Sequence, residues 1–479
     1  MEPGAFHSGR RQRAMLTQTQ RQRTGFMIGA GDRGGMLTRT IGVSDLVLRN
    51  IAGNSYMVNP YRPHGDKIWS VNRTVVEVWR LLCDGVPADR IASALAHEFD
   101  LPADFDAHGV CAQLLSMAGV DAGLQSSVGH DRERVLGDAC VVSVQDGVPL
   151  YGGVELTWGC NLKCVHCYIR PQGPSGPRKD LSATQWFGIL NQLRDAGCLY
   201  LTISGGEPLI HPEFRQIYEH AALGGFLIDL YTNATLVDED VADLLSVLPP
   251  RRVEVSMYGA TAPGYEGVTG MPGSYRSWLR GLSILSEHRV PVVLKGIVLK
   301  ENRSEIQDMR AFAEARGCEV AFGAEIMPRL DGARGPEDHR LSPEGAVEVW
   351  IEVTGGIDPG DEVLGGKPRF DDVSGILDCG AGRTSFQVGP TGLLSYCTRI
   401  RTPGIDLGVS PMLDAWPKLR VKSRESFGSP SECPECPSRP YCNYCPGVDR
   451  LEAAAGSEEG YTCRYAHARR RWFERRRDS

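Results

Sequence analysis

Fifteen cysteines are distributed so unevenly along this chain that they limit every reading of it. Three fall between Cys160 and Cys167, and seven between Cys379 and Cys463. An odd number of thiols, crowded at short spacings behind an N-terminus without an apolar run, argues against a disulfide framework. It argues for metal ligation in a reducing compartment, so the expected location is cytoplasmic. The 479 residues exceed one typical domain and suggest about three units. Apolar residues make up 42% of the chain, enough for a core, and the net charge of −7 gives no reason to expect nucleic acid as a partner. No apolar stretch reaches the ~18–20 residues of a membrane span, so no membrane partner is expected either.

The chain divides by pattern. Residues 1–40 hold seven arginines against Glu2 and Asp32 and read as a disordered basic tail. Residues 41–123 open with strand-like runs at Leu46–Leu48, Tyr56–Val58 and Lys67–Trp69. Helical faces follow: Val75, Trp79 and Leu82, then Ile91, Leu95 and Phe99, then Val110, Leu114 and Met117. Residues 124–150 are a linker. Between 151 and 328 strands and helices alternate, with strand candidates Val154–Thr157, Leu199–Ser204, Phe226–Thr232, Arg252–Met257, Pro291–Val298 and Glu319–Ile326. Six such repeats imply a parallel sheet with helices outside, as an open sheet or a partial barrel. Such folds place their chemistry at the carboxyl ends of the strands. Residues 329–372 read as a connector, 373–466 as short segments strung between cysteines, and 467–479 as a basic tail.

The 41–123 stretch resembles the RiPP recognition element, a PqqD-like winged-helix domain that binds the leader of ribosomally made peptides. The resemblance rests on Trp69-Ser-Val-Asn72 opening a helix, on residues 89–95 and on Phe99-Asp-Leu-Pro102.

Cys160-Asn-Leu-Lys-Cys164-Val-His-Cys167 is C-x3-C-x2-C. Three thiolates on one loop can hold three irons of a cubane and leave the fourth open. A structural zinc site would want a fourth ligand, and His166 is too constrained by its neighbours to serve. After the second strand comes Ser204-Gly-Gly-Glu-Pro208. Both motifs, in this order, resemble the radical S-adenosylmethionine (SAM) superfamily over residues 151–328. The resemblance implies a [4Fe–4S] cluster on Cys160, Cys164 and Cys167, with SAM chelated at the open iron and cleaved to a 5′-deoxyadenosyl radical. It also implies that Gly205, Gly206 and Glu207 contact SAM, the glycines by close backbone approach and Glu207 by accepting from the methionine ammonium. Asn233, Ser256 and Tyr168 are further SAM-contact candidates, and His166 is expected to pack near the adenine.

The second field runs Cys379, Cys397, Cys433, Cys436, Cys442, Cys445 and Cys463, with Gly392 inside it. On spacing alone, zinc ribbons and iron–sulfur sites are equally good readings. The order is similar to that of the SPASM domain of radical SAM peptide maturases, with one residue fewer than usual between Cys442 and Cys445. That resemblance implies two auxiliary [4Fe–4S] clusters. Cys433, Cys436, Cys442 and Cys463 would bind the distal one. Cys379, Cys397 and Cys445 would bind the proximal one, whose fourth position is open or taken by a non-cysteine ligand; the nearest upstream cysteine is Cys318.

The expected fold is therefore α/β: a partial (β/α)6 TIM-like barrel, an N-terminal winged-helix-like peptide-binding domain and a C-terminal cysteine-rich SPASM domain. The expected activity is oxidative modification of a precursor peptide bound through its leader, by thioether or carbon–carbon cross-linking. A low-potential electron donor such as flavodoxin or ferredoxin would be needed. The alternatives are an anaerobic sulfatase-maturase-like oxidase that makes formylglycine, and a non-catalytic metal-binding peptide adaptor. Glu325, Arg329 and Asp331 are acid–base candidates by position only.

Overall fold

The computed structural model describes residues 46–51, 54–61, 68–71, 73–84, 86, 90–91, 95, 106–118, 147–169, 179–356, 380–426, 433–454 and 460–477. The 1–40 tail, most of the 124–150 linker, the second half of the 329–372 connector and Cys379 lie outside the described residues.

The N-terminal unit is a three-stranded antiparallel sheet of β1 (Val47–Ile51), β2 (Asn54–Val58) and β3 (Ile68–Val71), followed by α1 (Arg73–Cys83) and α2 (Ala107–Ala118). Strand alternation gives this sheet two apolar faces. Leu48 and Met57 turn towards α1 and α2, joining Val75, Val78, Leu114 and Met117 in the unit's own core. Val47, Ile51, Tyr56 and Val58 turn the other way and pack against Leu150, Leu199 and Leu227, which precede or open strands of the central sheet.

Arg49 lies on that second face and is only 2% exposed. Its guanidinium donates to Gly225 O at 2.9 Å, to Arg194 O at 3.4 Å and to Cys198 O, and lies over the Phe226 ring at 5.1 Å. These carbonyls follow or end two helices of the central domain, where the peptide dipoles leave negative charge. Burial lowers the Arg49 pKa to about 10, and no carboxylate makes an ion pair with it among the described residues. Arg49→Met is expected to leave these carbonyls without donors. A cost of about 1–3 kcal/mol would appear as faster proteolysis within residues 46–147, with the central domain still folded.

The central sheet contains β4 (Tyr151–Glu155), β5 (Tyr200–Ser204), β6 (Leu227–Thr232), β7 (Arg252–Met257), β8 (Val292–Ile297) and β9 (Glu319–Gly323). These six strands are parallel and adjacent in chain order. Same-handed crossovers without a reversal of strand order place the helices on one side of the sheet. These are α3 (Ala183–Asp195), α4 (Phe214–Leu223), α5 (Glu239–Val247), α6 (Ala262–Thr269), α7 (Ser274–Glu287) and α8 (Ile306–Glu314). Val154, Leu201, Ile203, Ile228, Leu230, Val253, Val255 and Leu294 form the core beneath them, so the alternate residues face the opposite, inner side. At the start of α3 the Ser182 N–H donates to Gln185 Oε1 at 3.0 Å, as the capping-box pattern predicts.

Two features differ from the sequence-based expectation. The first strand starts at Tyr151, earlier than Val154, because Tyr151 N–H bonds Thr384 O on a later segment. That segment leads into β10 (Ser385–Val388), parallel to β4, and a hairpin to β11 (Leu393–Ser395) and β12 (Ile405–Asp406) widens the sheet to nine strands.

Beyond the sheet lie α9 (Pro343–Thr354), α10 (Met412–Ser426), α11 (Pro446–Ala454) and α12 (Tyr461–Arg477). The segment read as a basic tail belongs to α12, and one face of it is packed. Trp472 and Phe473 meet Trp350 of α9 at 5.9 and 5.7 Å, and Phe473 stacks on Tyr441 at 5.1 Å. Buried Arg469 lies over Trp350 at 4.3 Å and donates to Tyr441 O at 3.3 Å. Long basic side chains can cover an aromatic surface with their stems and planes, which composition alone does not reveal. Among the described residues no helix is long and apolar enough to cross a membrane.

Candidate functional site

The cysteine loop leaves the carboxyl end of β4, and the Gly-Gly-Glu-Pro turn leaves the carboxyl end of β5. The two loops are bonded to each other. Gly206 N–H donates to Thr157 O at 2.8 Å and Glu207 N–H to Gly159 O at 2.9 Å. A Cβ at Gly206 would stand 2.1 Å from Gly159 O, and one at Gly205 (φ 148°) would stand 2.2 Å from Thr157 O. In this structure both glycines are therefore required by the approach of one loop to the other. From the sequence alone, that freedom is expected to serve the approach of a ligand.

Glu207 is fully buried. Its carboxylate accepts from Leu209 N at 3.1 Å, Thr232 Oγ1 at 2.8 Å and Asn233 N at 2.7 Å. A carboxylate has about four acceptor positions, so one is left for a ligand ammonium. Burial outweighs the three donors and raises its pKa to about 7. The proton is bound more tightly in the folded state than in the unfolded chain, so this carboxyl favours folding at low pH. Its contribution falls as pH rises through about 4.5 to about 7 and is flat above. The unfolding free energy of the apoprotein is expected to drop over that window by roughly 3 kcal/mol relative to Glu207→Gln, which should show a flatter profile.

Asn233 follows β6 and ties the site together. Its Nδ2 donates to Asn161 Oδ1 at 2.9 Å and lies 3.9 Å from Cys160 Sγ. Its Oδ1 accepts from Thr235 N and Oγ1, while Asn161 Nδ2 donates to Thr235 Oγ1 at 2.7 Å. Asn161, Thr232 and Thr235 are absent from the sequence-derived set. Their signal was only their position, beside a cysteine or just past a strand.

Cys160, Cys164 and Cys167 lie close enough to repel one another as thiolates. Burial raises Cys160 to about 11 and Cys164 to about 12, with each helped by neighbouring cysteine charge, and burial also raises Cys167. Leu162 N–H points at Cys160 Sγ at 3.4 Å, and the Cys167 thiol donates to Ile169 O at 3.0 Å. Without metal these are protonated thiols, so ligation must release protons. Tyr258 hydrogen-bonds with Ser256 and with Cys164, and its ring meets His166 at 5.1 Å. His166 Nδ1 is buried with no hydrogen-bond partner, and burial lowers the ring's pKa to about 4. The histidine is a neutral packing group with one polar atom to spare. Tyr168 sits by Glu155 and Arg401, and its carbonyl accepts from Leu330 N at 3.0 Å. Arg329 Nε contacts Cys167 O at 3.4 Å, while Glu325 pairs with Arg399 at 3.0 Å.

In the second field, burial raises Cys442 to about 11, and the charges of Cys463, Cys433 and Cys436 add to it. The four cysteines assigned to the distal site are thus neighbours. Cys397 Sγ accepts from Ile400 N at 3.3 Å, and Cys445 Sγ accepts from Arg399 Nη1 at 3.4 Å. Gly447 packs against Arg399 and Ile400, so the two loops are adjacent. Cys318 precedes β9, and Glu325 lies past its other end, about 20 Å away along an extended chain. Cys318 is therefore remote from Cys445. Among the described residues no three Cys, His or acidic side chains close around a single ion position. In the cysteine loop the donor chemistry, three half-buried and mutually coupled thiols, fits an iron–sulfur group.

Glu155 links the two parts. It is buried and accepts a two-pronged contact from Arg401 at 2.6 and 2.8 Å and a bond from Trp158 Nε1 at 2.9 Å. The cysteine loop and the Cys397 loop therefore share one buried ion pair.

Residues 154–313 match the model of the Radical SAM superfamily. Over 189 residues the chain is 31% identical to the AdoMet-dependent heme synthase of Methanosarcina barkeri, covering 40% of this chain and 53% of that one. It is 28% identical to the mycofactocin maturase MftC of Mycobacterium ulcerans, covering 51% and 66%. It is 30% identical to the subtilosin biosynthesis protein AlbA of Bacillus subtilis, covering 52% and 55%. The chain thus spans roughly half to two thirds of these relatives' lengths. Streptococcus suis SuiB bound to its precursor peptide SuiA has a similar fold, with a TM-score of 0.54, 15% identity and coverage of 89% and 98%. So does anSMEcpe with bound AdoMet, with a TM-score of 0.53, 17% identity and coverage of 68% and 98%. The cysteine loop and the turn bonded to it both lie within residues 154–313, the stretch that matches the Radical SAM superfamily.

Proposed function

We propose that this chain is a radical SAM enzyme that modifies a ribosomally synthesised precursor peptide, forming an oxidative thioether or carbon–carbon cross-link. The observation that carries the reading is the set of three coupled, half-buried thiols on the loop at the carboxyl end of a parallel strand, a loop bonded to the Gly205-Gly206-Glu207 turn. With iron and SAM bound, the site would supply an electron that splits SAM into methionine and a hydrogen-abstracting 5′-deoxyadenosyl radical. Cys160, Cys164 and Cys167 would hold the [4Fe–4S] cluster. Glu207 keeps one acceptor position for the amino group of SAM, and Asn233 fixes the loop that carries Cys160. Tyr258, Ser256 and His166 form a polar-edged wall beside Cys164.

In this reading residues 373–466 are a SPASM domain. Cys433, Cys436, Cys442 and Cys463 serve one auxiliary cluster, and Cys379, Cys397 and Cys445 the other. The 41–123 unit is a recognition element that takes the peptide leader as an added strand on its sheet edge. A flavodoxin or ferredoxin supplies electrons. MftC, named a mycofactocin maturase, and AlbA, named a biosynthesis protein of the bacteriocin subtilosin, support the peptide class. The N-terminal unit, anchored by buried Arg49, favours a leader-dependent enzyme over the formylglycine-forming alternative. Deleting it would strip the apolar face of the central domain at Leu150, Leu199 and Leu227, so a truncation is a poor test of its role.

The test is anaerobic reconstitution of the full chain with iron and sulfide, followed by reduction with SAM. About twelve irons per chain and release of 5′-deoxyadenosine are expected. Stoichiometric zinc with no SAM cleavage would reject the enzyme in favour of an adaptor.

A further inference from the structure

The inner side of the central sheet, opposite the helices, is lined with charge. Glu254 on β7 is buried, and two cations reach it: Arg252 Nη2 at 2.6 Å from Oε1 and Lys295 Nζ of β8 at 3.2 Å from Oε2. Asp229 on β6 pairs with Arg251 and lies 3.6 Å from Arg252. Three cations therefore face two carboxylates in this cluster, which leaves one positive charge over. Glu155 on the same side is already matched by Arg401. Glu319 stands exposed at the start of the edge strand β9 and forms no ion pair with the three cations.

The donors here are also not exhausted. Among the described residues Arg252 Nε is buried without a hydrogen-bond partner, and both Glu254 carboxylate oxygens meet the two cations as ion pairs without hydrogen bonds. An ammonium has three donors, and Lys295 Nζ lies 3.2 Å from Glu254 Oε2 without a hydrogen bond to it. The side chains of Lys295 and Arg252 are each 35% exposed, and Tyr231, in register with Glu254, is 40% exposed. This face is open to a ligand. Lys295 is the register partner of Ser256, one strand away at about 4.8 Å, and Ser256 bonds to the Tyr258 that touches Cys164. The surplus charge thus adjoins the wall of the cysteine site.

We propose that this face is a carboxylate-binding subsite in which Lys295, with Arg252 beside it, receives an acidic group of the peptide. The inference rests on the peptide-substrate reading and names what such a peptide carries into the site. The acidic group is either an Asp or Glu side chain or a free C-terminal carboxylate. A substrate carboxylate would take the spare donors of Lys295 and balance the surplus charge, while Glu254 holds both cations in place when no peptide is bound. A neutral amide in the same position would leave that charge unmatched.

The test uses the reconstituted full chain with SAM and four pentapeptides built on acetyl-Gly-Ala-X-Ala-Gly. Three are C-terminal amides with X as Glu, Gln or Lys, and the fourth has X as Gln and a free C-terminal carboxylate. Dissociation constants are read by saturation-transfer NMR. The Glu amide or the free carboxylate should bind about tenfold or more tightly than the Gln amide, a gap of ~1.4 kcal/mol, with Lys weakest. Whichever of the two is favoured identifies the source of the acidic group. Lys295→Met should shrink the gap to within about twofold, and Lys295→Arg should keep it. Equal affinities for acidic and neutral peptides, or a preference that survives Lys295→Met, would overturn the subsite. SAM cleavage by the native protein, measured without peptide, reports on the reaction separately. Cleavage without acid preference rejects only the subsite, and acid preference without cleavage rejects only the reaction.

Discussion

Cys164→Ala is expected to abolish 5′-deoxyadenosine release completely and to lower the bound iron by about four atoms per chain. Of the three thiols on the loop, Cys164 is raised furthest, to about 12, by burial and by the charges of Cys167 and Cys160. A thiol this unwilling to ionise alone becomes a thiolate only when a metal replaces its proton, so its ionisation and ligation are one event. Two sulfurs cannot hold a cubane in place of three. Tyr258 would lose its sulfur partner but keep Ser256, so the wall of the site should survive the substitution. The control is Cys198→Ala. Cys198 is a fully buried thiol among apolar core residues near the opposite end of the sheet, and its loss should reduce stability while leaving SAM cleavage intact. Iron analysis and product chromatography on both variants decide the point. Undiminished cleavage by Cys164→Ala would remove the cluster from this loop.

The second large effect is expected on stability. Arg340 and Glu452 are 8% and 2% exposed, and their side chains meet at 2.5 Å. Arg340 also binds Glu337 at 2.7 Å and lies over the Tyr461 ring at 4.0 Å. The second oxygen of Glu452 accepts from Tyr461 N at 2.6 Å, at the start of α12. One carboxylate therefore joins the segment after β9 to α11, which follows Cys445, and to α12, which carries Cys463. Glu452→Leu leaves a buried guanidinium short of one partner and an unsatisfied N–H at the helix start, at a cost of about 3–5 kcal/mol. The thermal transition of the C-terminal region should fall, and cleavage by a protease should concentrate between 433 and 477. The double variant Arg340→Met with Glu452→Leu should recover part of the loss, because removing both charges is cheaper than stranding one. A single variant as stable as the native chain would show that the pair contributes nothing.

Much of the site was legible because its ligands are local. Cys160, Cys164 and Cys167 lie within one loop, and their spacing alone marks it as a metal-binding segment. The Gly205–Glu207 turn was legible as a position, but its physical role was not. The atoms that require two glycines are Thr157 O and Gly159 O, on a loop almost fifty residues earlier. The donors to Glu207 likewise include Thr232, at the end of the next strand, and Asn233 just past it. A motif records which residues stand together in the chain and carries no account of the neighbours that folding brings to it.

The same division holds for the rest of the molecule. Period and alternation in the sequence determined six parallel strands with helices outside and an amphipathic N-terminal unit, because hydrophobic spacing directly encodes which face of an element is buried. Tertiary structure alone decided what each face is buried against. Arg49 found carbonyls about 145 to 176 residues away, Arg401 found Glu155 246 residues away, and the arginine-rich last helix found Trp350. Charge and polarity in a sequence show that a side chain needs a partner. Which partner it gets depends on long-range packing, and no local pattern specifies that.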